Sequence, residues 1–290
     1  MTLQTEAPSA YLSTWSHAPS QWFTRADGSR LRYVVTGDGP PLVLMHTVRT
    51  QLDYFQRLIP LLTGRYRVYA VDFPGMGWSD IQPDAHYDHA DLQGAIVEFV
   101  RGLELVDVTL AGESMGATIA LTASVELGER VSRVVASNTY DYPQGLERAN
   151  PLARFIISSV RAPLVGPTFA SLENRLILKG IMSGGYADPT RLPAPFLDEL
   201  VRVGKRPGYS RVAREVYRNL PTLMAARSSY PAITAPVALV YTSQDWSRAS
   251  DRQSTAAAIP TATVHTVDDA GHFCAMERPH ALAEILLRQP

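Results

Sequence analysis

The chain has 290 residues and a formal net charge of −1, and 46% of its residues are hydrophobic and 19% charged. This composition is typical of a globular protein and excludes a disordered one. The near-neutral charge and the scattered arginines exclude bulk attraction to nucleic acid or to an anionic membrane surface. A single cysteine, Cys274, excludes an intrachain disulfide.

The N-terminal segment has neither the basic start nor the apolar stretch of a secretory signal. No apolar run approaches the roughly 20 residues that span a bilayer. We therefore expect a cytoplasmic protein that binds neither membrane nor nucleic acid and holds no metal ion or cofactor. The sequence leaves its oligomeric state open, a homodimer included.

From residue 19 onwards, short apolar runs alternate with segments of helical periodicity. Strands are predicted at residues 21–25, 31–36, 42–45, 67–71, 108–111, 131–136, 237–241 and 263–267. Helices are predicted at residues 52–62, 87–103, 115–127, 248–258 and 280–287. Alternation of this kind predicts an α/β fold with a mostly parallel sheet covered by helices.

The alternation stops after Asn138 and resumes near residue 232. Residues 140–231 are rich in proline, and helices are predicted there at residues 152–160, 196–203 and 211–220. No buried strand is predicted between them. We therefore interpret residues 19–139 and 232–290 as one core, residues 140–231 as a helical cap inserted into it, and residues 1–18 as an irregular lead-in.

One motif marks a candidate nucleophile. Residues 112–116, Gly-Glu-Ser-Met-Gly, fit the pattern G-x-S-x-G, and they lie between a predicted strand and a predicted helix. In that context the pattern indicates a sharp turn that exposes the serine hydroxyl at the carboxyl edge of the sheet, beside a helix N-terminus that favours negative charge. Ser114 is the predicted nucleophile.

A serine needs a base to remove its proton, and the base needs a carboxylate to orient it. Of the seven histidines, His272 lies in a glycine-marked loop after the last predicted strand. Asp245 follows the strand before it, and this gives the chain order Ser, Asp, His that is expected of this arrangement. Asp141 is an alternative acid, because it follows the strand after the nucleophile helix.

These residues carry a family resemblance. Residues 72–80, Asp-Phe-Pro-Gly-Met-Gly-Trp-Ser-Asp, are similar to the D-x-P-G-x-G-x-S-D segment of α/β-hydrolases. The turn at Ser114, the loop ending at Asp245, and Gly-His-Phe at 271–273 followed by Glu-Arg-Pro at 277–279 also resemble that family, in the same order. The resemblance covers residues 20–290 and implies the α/β-hydrolase fold.

The resemblance also implies two backbone donors for an oxyanion. By position these are the amides of Val48 and Met115. The family commonly has His-Gly before the first donor, whereas this chain has His46 followed by Thr47, which leaves the shape of the loop open.

Four residues near the predicted site are candidate substrate contacts: Arg49, Gln51, Tyr54 and Glu113. Arg49 follows the predicted donor Val48, and its guanidinium could bind a carboxylate, phosphate or carbonyl oxygen. The alternative interpretation is a surface arginine paired with the cap or with an acid such as Asp53.

The expected reaction is hydrolysis of a carboxylic ester, thioester or lactone, a small molecule, through an acyl-enzyme. A C–C hydrolase, a cofactor-free haloperoxidase or a lyase would use the same three side chains. Haloalkane dehalogenases and epoxide hydrolases of this fold attack with aspartate, so Ser114 argues against both. A non-catalytic ligand receptor on a hydrolase scaffold is the remaining alternative.

Overall fold

The computed structural model describes residues 10–171 and 174–288. Its centre is one eight-stranded sheet with the strand order β1-β2-β4-β3-β5-β6-β7-β8. The strands are β1 Gln21–Thr24, β2 Arg30–Thr36, β3 Pro41–Met45, β4 Arg67–Val71, β5 Val108–Glu113, β6 Val131–Ser137, β7 Val237–Thr242 and β8 Ala262–Val267. All eight predicted strands are present, with ends that differ by two residues or fewer.

The sheet is antiparallel only at one side. β2 pairs antiparallel with both β1 and β4, and every other neighbouring pair is parallel. β3 and β5 to β7 consist largely of buried apolar residues, as expected of parallel strands covered on both faces. The carboxyl ends of the parallel strands therefore meet along one edge.

Helices cover the sheet. Outside the cap they are α1 Ile59–Leu62, α2 His89–Gly102, α3 Met115–Leu127, α9 Ala249–Ala258, α10 Cys274–Glu277 and α11 Pro279–Leu287. α3 packs on β5 and β6 and against α2, and almost all of its side chains are buried. On the other face, Leu282 and Leu286 of α11 pack near Leu44 and Val135. The fold is thus a sheet with helices on both sides, as predicted.

One predicted helix is wrong. Residues 52–62 form a 3₁₀ turn, Leu52–Phe55, and then the single turn α1. The Leu52 amide donates to Asp72 Oδ1 at 2.7 Å, which fixes the start of the segment outside a regular helix. Pro60 has no amide hydrogen, so a continuous helix through this position would lose a backbone hydrogen bond.

The chain between β6 and β7 is helical, and in its described residues there is no strand. Its α-helices are α4 Pro151–Arg161, α5 Gly166–Ser171, α6 Arg175–Ser183, α7 Ala194–Gly204 and α8 Tyr209–Ala225. α7 is tied to the core through the buried Glu199, which accepts a 2.8 Å hydrogen bond from Trp78 Nε1. Among the described helices, none is long and apolar enough to cross a membrane.

Candidate active site

Ser114 lies at a sharp turn between β5 and α3. Its backbone has φ 58° and ψ −117°, a conformation that non-glycine residues rarely adopt and that is held by a hydrogen bond from its amide to Ser137 O at 2.9 Å. A Cβ at Gly112 would collide with the backbone of Gly116, and a Cβ at Gly116 with the carbonyl of Met45. Both glycines of the motif are therefore required by close backbone contact.

Three predicted side chains meet at the carboxyl edge of the sheet. Ser114 follows β5, Asp245 follows β7 and His272 follows β8. His272 Nε2 lies 2.7 Å from Ser114 Oγ, and His272 Nδ1 lies 2.5 Å from Asp245 Oδ1. All three side chains are buried. The geometry is that of a nucleophile joined to a base and a base joined to its orienting acid.

Asp245 is held as a carboxylate. Its second oxygen, Oδ2, accepts hydrogen bonds from the amide of Ser247 at 3.0 Å and from the Ser247 hydroxyl. Burial alone would raise the pKa of Asp245, but the neighbouring His272 and these hydrogen bonds hold that pKa below its usual range.

Asp141, the alternative acid, faces elsewhere. It accepts hydrogen bonds from the hydroxyls of Thr139 at 3.0 Å and Thr255 at 2.8 Å. Burial raises the pKa of Asp141. The structure therefore places Asp245, and not Asp141, on the imidazole.

The loop after β3 is shaped by the carbonyl of Thr47. That oxygen accepts hydrogen bonds from His46 Nδ1 at 2.8 Å and from the Thr50 amide and hydroxyl at 3.3 and 2.8 Å. Because the N–H and C=O of a planar trans peptide point in opposite directions, the amide of Val48 points away from this cluster. Threonine in place of glycine is thus accommodated in an ordered turn.

Met115, the second predicted donor, is the first residue of α3. The first amides of an α-helix have no partner within the helix, so α3 itself leaves the Met115 amide without an acceptor. The loop after β3 lies against this turn, since Gly116 packs on the carbonyls of Met45 and His46. Both predicted donors are therefore carried by segments in mutual contact.

His46 is a structural crosslink beside the site. Its Nε2 accepts a hydrogen bond from the Phe73 amide at 3.1 Å while its Nδ1 donates to Thr47 O. Burial lowers the pKa of His46, which favours the neutral ring that these two bonds require. The ring joins the ends of β3 and β4.

Glu113 and Tyr54 were predicted to contact substrate, but in the structure both are hydrogen-bonded to other groups of the protein. The Tyr54 hydroxyl donates to Glu113 Oε2 at 2.7 Å. Glu113 also accepts hydrogen bonds from the amides of Cys274 at 2.6 Å and Ala275 at 3.1 Å. Burial raises the pKa of Glu113 to about 7. These groups support the loop that carries His272.

Arg49 and Gln51 lie between the loop and the cap. Arg49 is 6% exposed, and its guanidinium carbon lies 4.9 Å from the ring centre of Tyr209 on α8. The alternative prediction that Arg49 lies on the surface is therefore wrong, whereas the predicted contact between Arg49 and the cap is present. Gln51 Nε2 donates to Asp53 at 2.5 Å, and Asp53 in turn pairs with the buried Arg32 at 2.9 Å.

Two residues that contact His272 were not identified from the sequence. The ring of Trp246 is stacked on the imidazole. Asn138, which has a φ of 45°, donates from Nδ2 to His272 O at 3.0 Å and to Thr242 Oγ1 at 3.1 Å. The sequence feature that could have identified them is their position in the loops after β7 and β6, because polar and aromatic residues at that edge of the sheet face the site.

The site is enclosed, and the chain after α6 packs against the histidine loop. Ser114 and His272 each have 0% exposure. The segment after α6 is bonded to the histidine loop, because Gly185 O accepts from the Phe273 amide at 3.2 Å and Glu277 Oε2 accepts from the amides of Gly271 and Ala187 at 2.7 and 3.0 Å. Ser114 and His272 are therefore shielded from solvent in this structure.

Comparison with known proteins defines the class. The family described as Alpha/beta hydrolase family matches residues 14–285, and the chain belongs to that family. Membership of this family, together with the relatives named below, indicates that the chain is a hydrolase. One curated relative, Haloalkane dehalogenase 2 of Mycobacterium tuberculosis, is 26% identical over 280 residues, 93% of this chain and 94% of its own length.

Solved structures show the same fold. The chain is similar to Cfl2 from Burkholderia cenocepacia, with a TM-score of 0.80, 23% identity and coverage of 92% of this chain and 94% of that one. It is also similar to the epoxide hydrolase CorEH, with a TM-score of 0.81, 21% identity and coverage of 93% and 98%. At these identities the likeness supports the fold and not the substrate.

Proposed function

We propose that this protein is a serine hydrolase that cleaves a carboxylic ester, thioester or lactone through an acyl-enzyme on Ser114. The observation that carries the proposal is the continuous chain of contacts from Ser114 Oγ to His272 at 2.7 Å and from His272 to Asp245 at 2.5 Å. A serine hydroxyl is activated as a nucleophile by such an arrangement.

In the first half-reaction, Ser114 Oγ attacks the substrate carbonyl while His272 Nε2 takes its proton. The amides of Val48 and Met115 hold the oxyanion in this proposal, and Asp245 stabilises the imidazolium that forms. His272 then protonates the leaving alcohol or thiol. In the second half-reaction, His272 takes a proton from water as the water attacks the acyl-enzyme, and it returns that proton to Ser114 Oγ as the carboxylic acid is released.

The named activities of the relatives do not transfer directly to this chain. Dehalogenases and epoxide hydrolases of this fold attack carbon with an aspartate. The equivalent position in this chain is Ser114, and a serine cannot form the alkyl-ester intermediate that a carboxylate forms. Nucleophile chemistry therefore favours acyl transfer over halide displacement or epoxide opening.

The experiment is a panel of p-nitrophenyl esters of increasing acyl length, with thioesters and lactones, assayed on the wild type and on Ser114→Ala. The proposal expects turnover of at least one acyl substrate, with a loss on the order of 10⁴–10⁶-fold in Ser114→Ala. Asp141→Asn is the matched control, because Asp141 is a buried carboxylate outside the site. Equal turnover by wild type and Ser114→Ala contradicts the proposal. No acyl turnover, with cleavage of a C–C substrate that depends on Ser114, would favour the alternative chemistry.

A further inference from the structure

Trp246, the residue directly after the candidate acid, is in close ring contact with His272. Its indole lies parallel to the imidazole of His272, with ring centres 3.7 Å apart and planes inclined by 10°. Trp246 is 8% exposed, so the stack is shielded from water. Of the tryptophans in the chain, this one has a face against a residue of the proposed triad.

The same indole is tied to the cap. Trp246 Nε1 donates to the carbonyl of Gly184 at 2.9 Å, and Gly184 directly follows α6. The next residue, Gly185, is the one whose carbonyl accepts from the Phe273 amide. Two neighbouring carbonyls of the cap, those of Gly184 and Gly185, therefore accept hydrogen bonds from the indole stacked on His272 and from the amide of the residue that follows His272.

The stack has two physical consequences for the base. A flat ring against one face restricts rotation of the imidazole, so that Nε2 stays on Ser114 and Nδ1 on Asp245. An aromatic face also attracts a cation, so it stabilises the imidazolium relative to the neutral ring. In the proposed mechanism His272 carries that positive charge at the moment when the serine proton has been transferred.

We propose that Trp246 is a positioning residue that couples closure of the cap over Ser114 to alignment of His272. The inference rests on the proposed function. Ser114 is fully buried, so substrate entry displaces part of the enclosure, and Gly184 belongs to the cap. When the cap moves away, the indole loses its hydrogen-bond acceptor and becomes free to leave the imidazole. When the cap closes over a substrate, both contacts re-form and the base is aligned in a site without bulk water.

Two variants separate the contacts. Trp246→Phe keeps an aromatic face and loses the donor to Gly184, whereas Trp246→Leu loses both. For Trp246→Leu we expect kcat to fall by about 10- to 100-fold, the cost of a misplaced catalytic group, with KM changed less than about threefold. For Trp246→Phe we expect a smaller fall in kcat, about 3- to 10-fold, because the ring face remains but its link to Gly184 of the cap is lost; an unchanged kcat in this variant contradicts the coupling to the cap.

The pH profile supplies a readout that a merely structural role would not move. Among the described residues, Asp245 and Ser114 contact the imidazole and the buried carboxyl of Glu113 interacts with it through its charge, and the variants leave all three in place. Loss of the aromatic face removes stabilisation of the imidazolium, so the acid limb of kcat/KM in Trp246→Leu should move to lower pH by about half a unit. In Trp246→Phe it should stay in place. An unchanged kcat and acid limb in a folded Trp246→Leu overturns the proposal.

A spectroscopic test does not depend on turnover, so it distinguishes failure of this inference from failure of the proposed function. The emission of the wild type minus that of Trp246→Phe isolates the signal of Trp246. This difference should change with pH, because protonation of the stacked imidazole alters the indole's surroundings. The change should vanish when the same difference is taken in a His272→Gln background. A pH-independent difference in the wild type, or an unchanged titration without His272, overturns the stacking argument even if ester turnover is found.

Discussion

Asp245→Asn replaces one carboxylate oxygen of the candidate acid by an NH₂ group, and the structure predicts which oxygen is replaced. Oδ2 accepts from the amide and hydroxyl of Ser247, so in the variant the remaining oxygen is held on that side. The NH₂ group then faces His272 Nδ1 and donates to it. The imidazole must carry its proton on Nε2, and in that tautomer it cannot accept the proton of Ser114. We expect kcat to fall on the order of 10⁴-fold, about 5.5 kcal/mol in the transition state.

The assay is kcat/KM for the best acyl substrate, with thermal unfolding to show that Asp245→Asn is folded. The matched control is Asp141→Asn, whose carboxylate contacts Thr139 and Thr255 instead of His272. The control should retain turnover within about threefold, since it leaves the imidazole tautomer unchanged. Turnover by Asp245→Asn within tenfold of the wild type would refute the tautomer argument, and an equal loss in Asp141→Asn would show that the effect is not specific to the acid.

Three further predictions concern the same region. Ser114→Ala and His272→Ala should each lose on the order of 10⁴–10⁶-fold in kcat, and the double variant little more, because the pair acts as a unit; losses that multiply would contradict this. Because the folded-state pKa of Glu113, about 7, exceeds its ordinary value of 4.5, the stability that it contributes is fully present below pH 4.5 and is lost as the pH rises to 7. Between pH 4.5 and pH 7 the unfolding free energy of the wild type should therefore fall by about 3 kcal/mol more than that of Glu113→Gln, measured by urea titration. Parallel curves for the two proteins would contradict the burial argument. Arg49→Met should slow neutral and anionic esters equally, by about 2- to 10-fold, because its contact with Tyr209 supports the loop; a loss confined to the anionic ester would instead make Arg49 a substrate ligand.

The features that could be predicted from sequence are those that depend on local patterns. The strands β3 and β5 to β7 are mostly apolar, and the strand–turn–helix context of Ser114 identifies the turn. The chain order of Ser114, Asp245 and His272 follows from their places after β5, β7 and β8. Even the break in residues 52–62 had a local signal, because Pro60 interrupts helical hydrogen bonding.

Side-chain direction could not be predicted in the same way. Glu113 neighbours the nucleophile in sequence, yet it points to the amides of Cys274 and Ala275, more than 150 positions along the chain. That choice depends on how α10 packs under the site. The stack of Trp246 on His272 likewise depends on the position of Gly184 in the cap. Such contacts are set by tertiary packing, which periodicity does not encode.

The most direct test of the central claim is to trap the acyl-enzyme. An activated ester is mixed with the wild type, the reaction is quenched in acid within the first turnover, and the protein is analysed by mass spectrometry with peptide mapping. The account predicts a mass increase of one acyl group on the peptide that contains Ser114, and no adduct on that peptide in Ser114→Ala. Turnover without an adduct on Ser114, together with undiminished turnover by Ser114→Ala, would contradict it.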